Sequence, residues 1–140
     1  TTRFHTVQTA GAWPLKRAWD RIAERLRTDR APLVLDYAAK HRSEFMVPWE
    51  ETPRSVAHGI LDDETYDWLA IVKGMLDTGG VPVVVTEETL KEANEVARTA
   101  TGINVDHTGS AGLAGLMQLR REGLVKPGER AAVIFSGVRR

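Results

Sequence analysis

"GGVPVVVTEETLKEANEVARTATGINVDHTGSAGLAGLMQLRREGLVKPGERAAVIFSG", residues 79–137, is the stretch whose reading decides the fold. After the Gly79-Gly80 turn, "VPVVV" at residues 81–85 starts as a β-branched strand. Thr86 follows as a helix cap, with Glu87 and Glu88 in the first turn. Leu90, Ala93, Val96, Ala97 and Ala100 supply that helix's expected apolar stripe, and Gly102 ends it. "INV" at residues 103–105 reads as a very short strand or extended segment. It leads through "DHTGS" into the small-residue helix "AGLAGLMQLRRE", which Gly123 stops. Lys126-Pro127-Gly128 carries the Pro-Gly pair of a type II turn. "AAVIF", residues 131–135, is apolar at every position and predicts a last strand buried on both faces. Strands separated by single helices predict an α/β fold: a three-layer, largely parallel sheet flanked by helices, with residues 81–85 and 131–135 in that one sheet.

Upstream of this stretch the signals are weaker. "RFHTVQ" at residues 3–8 is a run of strand formers ending at Thr9-Ala10-Gly11. Trp13-Pro14 then opens the helical pattern "LKRAWDRIAERLR", where Leu15, Ala18, Trp19, Ile22 and Leu26 share one face. From residue 28 to 53 helix and strand signals conflict, and "MVPWEETP" is punctuated by proline. "DDETYDWLAIVKGML" predicts a helix with Asp62 as N-cap, an acidic first turn, and Trp68, Ile71, Val72 and Met75 at helical spacing.

Composition narrows the function classes. A chain of 140 residues is one domain's worth of polypeptide, able to bury about 68% of its unfolded surface. Its 19 basic and 19 acidic residues cancel, which leaves no electrostatic footprint for nucleic acid or an anionic membrane. Cysteine is absent. A disulfide framework, a thiol nucleophile and a cysteine zinc site are thereby excluded, and a reducing, cytoplasmic compartment is expected. No apolar run approaches membrane-helix length, and "TTRFHTVQ" has no signal-peptide character. The missing initiator methionine suits a piece of a longer chain.

Several chemistry-bearing patterns compete with plainer explanations. Gly109, Gly112 and Gly115 recur every three residues, whereas the dinucleotide fingerprint needs G-x-G-x-x-G directly after a strand. That spacing predicts close packing of one helix face on the sheet. His5, His41, His58 and His107 form no i, i+4 pair, so no metal site is expected. Asp106-His107 stands at a strand-to-helix corner, where a parallel sheet places ligands but where a capping aspartate beside an exposed histidine is the commoner explanation. Ser136 is not in a G-x-S-x-G elbow, which disfavours an acyl-transfer serine. It is either a plain strand-end residue or a hydroxyl aimed into the crevice at the carboxyl edge of the sheet.

Taken in order, "RFHTVQTAGAWPL" and the run from "DTGG" to "IFSG" resemble the C-terminal part of threonine synthase and its fold-type II pyridoxal-phosphate relatives, such as threonine dehydratase. The shared features are a Gly-Gly turn, a V-T-x-E-E helix start, a small-residue helix after a G-I-x-x corner, a Pro-Gly turn and a strand ending in Ser-Gly or Thr-Gly. The corner departs from the family pattern, reading Asp106-His107 where Glu-Pro is usual. The family's Schiff-base lysine, in a Ser-x-Lys context, and its Gly-rich phosphate loop have no counterpart here.

The resemblance implies that residues 1–140 are the C-terminal portion of a cofactor-binding large domain, with pyridoxal 5'-phosphate as cofactor. It implies part of a lyase of amino-acid biosynthesis that performs β/γ elimination or replacement on an amino-acid substrate. The remaining N-terminal part of that enzyme and a homodimer partner are expected, with no nucleic-acid or membrane partner, and the chain alone is expected to be inactive. Ser136, Gly137, Ala10, Gly11 and Asp106 are the implied cofactor-binding residues. A neutral hydroxyl at the pyridine nitrogen suits elimination and replacement chemistry, because it donates to an unprotonated nitrogen. The contrasting expectation is a noncatalytic α/β binding or regulatory module that reuses the architecture.

Overall fold

A computed structural model describes residues 2–138. It divides into two compact units. One comprises the stretch before Thr6, Ala12–Pro53 and Asp62–Pro82; the other comprises Thr6–Gly11, Arg54–Leu61 and the chain from Val83 onward.

The first unit is helical. Pro14 opens α1 (Pro14–Arg25) at its first position, where the missing N–H costs nothing. The conflicting stretch resolves into α2 (Ala31–Lys40) and the single turn α3 (Arg42–Phe45). Leu15, Ala18 and Ile22 pack with Val34, Ala38, Phe45, Trp68, Val72 and Met75 in one buried cluster. Each large member contributes about 1.5–3 kcal/mol of transfer free energy. The proline-rich loop is tied down by Arg17, whose guanidinium donates to both Glu50 carboxylate oxygens at 2.9 Å and to the Val47 carbonyl at 2.6 Å. Those bonds hold the Glu50 carboxyl below its ordinary pKa.

α4 spans Trp68–Thr78, so the Asp62 cap is a correction. The acidic run before it serves loop contacts instead. The Asp63 carbonyl accepts from the Trp49 N–H at 2.9 Å, and Glu64 pairs with Arg42 at 2.5 Å. With its leading residues committed there, the helix starts only after Asp67. Gly79, in the left-handed region at φ 71°, closes α4 as the Gly-Gly turn predicts.

The second unit carries the α/β layer. β1 (Thr6–Thr9) and β2 (Pro82–Val85) are adjacent in one sheet. Their starts meet where the Val81 N–H lies 3.1 Å from His5 Nδ1, and their ends meet where Ala10 donates to the Val85 carbonyl at 2.9 Å. The strands therefore run parallel. Thr86 caps α5 (Glu87–Thr101) by accepting from the Thr89 N–H. α6 (Ala111–Arg121) packs on α5 and on β1. A Cβ on Gly115 would overlap Val7 of β1, so this glycine packs its helix on the sheet as expected, whereas Gly109 precedes α6 and lies against Gly137, and Gly112 faces Val133.

The expected stripe of α5 is corrected on one side. Val96 is 44% exposed and Ala100 is exposed, whereas Leu90, Ala93 and Ala97 are buried with Asn94. Positions 90, 93, 94 and 97 form the i, i+3, i+4, i+7 face, and the polar Asn94 stands where periodicity asks for an apolar side chain.

The last strand is the main correction. Residues 131–135 form no strand and belong to no sheet, and Ile134 is 83% exposed. A strand exists only where neighbouring backbone takes up its N–H and C=O groups, and the described residues give this run no ladder partner. The nearest pairing is a single antiparallel bridge between Val105 and Val138. Among the described residues no helix is long and apolar enough to cross a membrane, and no cluster of side chains could hold a metal ion.

Candidate cofactor site

The candidate site is built at the corner after Val105. Asp106 turns its carboxylate back on the chain, where Oδ1 accepts from the Gly109 N–H at 2.6 Å, and its carbonyl accepts from the Ser110 N–H at 3.0 Å. The side-chain bond closes the turn ahead of α6, whose own N-cap residue is Ser110 and carries no side-chain cap bond. Asn94 secures the corner from α5: its buried amide donates to the Val105 carbonyl at 2.9 Å and to Ser110 Oγ at 3.1 Å. A buried amide unable to reach such acceptors would cost about 1–3 kcal/mol, so the polar intrusion in the α5 stripe is what specifies the corner.

Ser136 and Gly137 are brought to this corner. The Asp106 N–H donates to the Gly137 carbonyl at 3.2 Å, and the Ser136 N–H donates to the Gly109 carbonyl at 3.4 Å. A Cβ on Gly137 would stand 2.6 Å from Asp106 Oδ1, too close for any other residue without movement. Ser136 is exposed, and its hydroxyl has no hydrogen-bond partner among the described residues. It does not end a buried strand; its own N–H and the carbonyl of Gly137 tie it to the corner. A hydroxyl placed there can donate to a neutral acceptor such as a pyridine nitrogen, which fits the cofactor that the resemblance implies.

Ala10 and Gly11 lie just past β1, and the Gly11 N–H donates to Thr9 Oγ1 at 2.8 Å. The space beside Gly11 is taken by the protein itself, since a Cβ there would overlap the Arg54 carbonyl oxygen. No described contact joins this turn to the Asp106 corner. Sequence reasoning missed Arg54–Leu61, which reaches the same edge. The Val56 N–H donates to Glu87 Oε2 at 2.8 Å, and the Gly59 N–H donates to Thr108 Oγ1 at 3.0 Å. No signal in "PRSVAHGI" marks this, because the donors are backbone N–H groups that any residue type but proline carries. A concavity of about 590 Å³ lies along the C-terminal half of α5 beside Lys91, Arg98 and Asn104 and includes none of the candidate residues.

No protein-family model matches the chain. It is 25% identical over 112 residues to the threonine synthase of Methanocaldococcus jannaschii, a match covering 80% of this chain and 27% of that protein. Its fold is similar to that of the T.th. threonine deaminase, with a TM-score of 0.59 at 21% identity, covering 86% of this chain and 35% of that one. The chain thus spans about a quarter of the curated relative and about a third of the solved one.

Proposed function

We propose that this threonine synthase-like chain forms the C-terminal portion of the cofactor domain of a pyridoxal-phosphate-dependent enzyme acting on an amino acid by β/γ elimination or replacement. The observation that carries the reading is the Ser136 hydroxyl, unpartnered among the described residues and pinned by the Asp106–Gly137 and Gly109–Ser136 backbone bonds. Support comes from the likeness to threonine synthase over most of the chain. Pyridoxal phosphate supplies an electron sink when bound. The chain's own part is to present a neutral donor to the ring nitrogen through Ser136 Oγ, and to hold that donor still through Asp106 and Gly137. Asp106 acts one step removed, since its Oδ1 is committed to the Gly109 N–H. The family's lysine and phosphate loop belong to the remaining part of the enzyme in this reading.

The test uses the complete enzyme. Ser136→Ala is expected to weaken cofactor affinity by on the order of 1 kcal/mol, about fivefold, the net value of one neutral hydrogen bond. Because Ser136 is exposed, its unfolding midpoint should not move. Ser136→Asp places a carboxylate at the nitrogen and is expected to shift product ratios toward transamination-type side reactions. Unchanged affinity and unchanged products in both variants would refute the assignment.

A further inference from the structure

Arg54–Leu61 makes its described tertiary contacts at one kind of place. Its Arg54 carbonyl lies against Gly11, in the turn after β1. Its Val56 N–H bonds Glu87, the first residue of α5 and two positions past the end of β2. Its Gly59 N–H bonds Thr108, in the corner after Val105. All of these residues belong to the same compact unit. The first two contacts fall just past the ends of β1 and β2, so the segment follows the carboxyl edge of the parallel pair, and it then reaches the corner after Val105, a residue bridged to Val138 outside that sheet. Strand ends are spaced about 4.8 Å apart, and the five residue steps from Arg54 to Gly59 reach at most about 17 Å, enough to cross such an edge. That edge is where open parallel sheets take their ligands.

The fit at Thr108 is close. A Cβ on Gly59 would stand 2.7 Å from Thr108 Cγ2 and 2.9 Å from its Oγ1, so only glycine lets the backbone at 59 approach the Thr108 side chain without one of them moving. Ala57, between the two hydrogen-bonded residues, is fully buried and anchors the segment from beneath. Glu87 keeps Oε1 buried with no partner among the described residues while Oε2 takes the Val56 N–H. The carboxylate is therefore held by the segment rather than by solvent.

We propose that Arg54–Leu61 is a positioning clasp for the candidate site: Thr108 and Glu87 fasten it, and it in turn fixes the Gly11 turn and the Asp106 corner that presents Ser136. The site is the one proposed above, and the inference rests on that reading. Thr108 does not contact Ser136 in any described bond; it acts through the corner it belongs to, two residues after Asp106 and directly before Gly109, whose N–H Asp106 caps.

The clasp is tested in two arms. In the 140-residue chain, hydrogen exchange follows the Gly59 and Val56 amides. Thr108→Val, which keeps shape but removes the acceptor, is expected to speed Gly59 exchange about fivefold, the loss of one hydrogen bond, with amides of α1 and α4 unchanged. Thr108→Ser is expected to match the wild type, and Glu87→Ala to release Val56 where Glu87→Gln, which retains a carbonyl acceptor, does not. In the complete enzyme, Thr108→Val is expected to weaken pyridoxal-phosphate binding severalfold and alter the bound cofactor's absorbance, with Thr108→Ser restoring both. Wild-type exchange at Gly59 and Val56 in the valine and alanine variants would overturn the clasp. A loosened segment with unaltered cofactor affinity and absorbance would overturn its positioning role. A wild-type enzyme that takes up no pyridoxal phosphate would instead overturn the function proposed above, and the exchange arm would still decide whether the clasp exists.

Discussion

At the scale of single residues, the structure replaces reasons more often than it replaces positions. The family resemblance implies that Gly11 is a cofactor-binding residue. In the structure the Arg54 carbonyl lies against it. Gly11→Val is therefore expected to destabilise the fold itself, by roughly 1–3 kcal/mol as an overpacking substitution, with any cofactor effect following from that. A lowered denaturation midpoint checks this, and a wild-type midpoint would show that the turn shifts at no cost. Asp106 is legible as a corner residue from sequence, and it is one. Its carboxylate caps Gly109 rather than standing free, a distinction that depends on side-chain direction and is invisible in a string of letters.

At the scale of elements, periodicity reports burial well where a helix supplies its own hydrogen bonds and poorly where an element borrows them. α1 follows its apolar stripe closely, burying Leu15, Ala18 and Ile22. The same reasoning fails at residues 131–135, because hydrophobicity supplies a reason to be buried but no partner for the backbone. Asn94 escapes notice for the opposite reason: a polar residue on an apolar face reads as noise until its two acceptors, Val105 and Ser110, are placed. Within the glycine series, Gly115 is legible as packing, since three-residue spacing on a helix puts bare backbone on one face whatever lies opposite. Gly115→Val would drive a branched side chain into Val7 and is expected to separate α6 from β1. Increased exchange of the β1 amides, with the α1–α4 helices unaffected, is the expected result; protection equal to wild type would mean that α6 slides without loss.

At the scale of the whole molecule, the α/β layer is legible because strand, cap and helix signals alternate cleanly from Asp77 to the end of α6, but the pairing is not: β2 pairs with β1 and not with residues 131–135. The helical unit is only half legible, its middle blurred by proline and by loop contacts such as Arg17 with Glu50. Chemistry at this scale depends on what the chain does not carry. None of its lysines stands in a Ser-x-Lys context, so the chain alone is expected to form no specific covalent adduct with pyridoxal phosphate. Borohydride trapping followed by peptide mapping measures this, and one stoichiometrically modified lysine would overturn the placement of the catalytic machinery elsewhere. The apolar run at residues 131–135 has a colloidal consequence as well. An apolar segment with high β propensity and solvent on Ile134 is a template for intermolecular cross-β stacking in concentrated solution. Glu129 and Arg130 precede it in the sequence and Arg139 and Arg140 follow it closely, the placement of charged gatekeepers around a hydrophobic strand. Ile134→Lys is accordingly expected to raise the concentration at which the chain precipitates while leaving its melting temperature unchanged, and turbidity against concentration for the two proteins reads the difference directly.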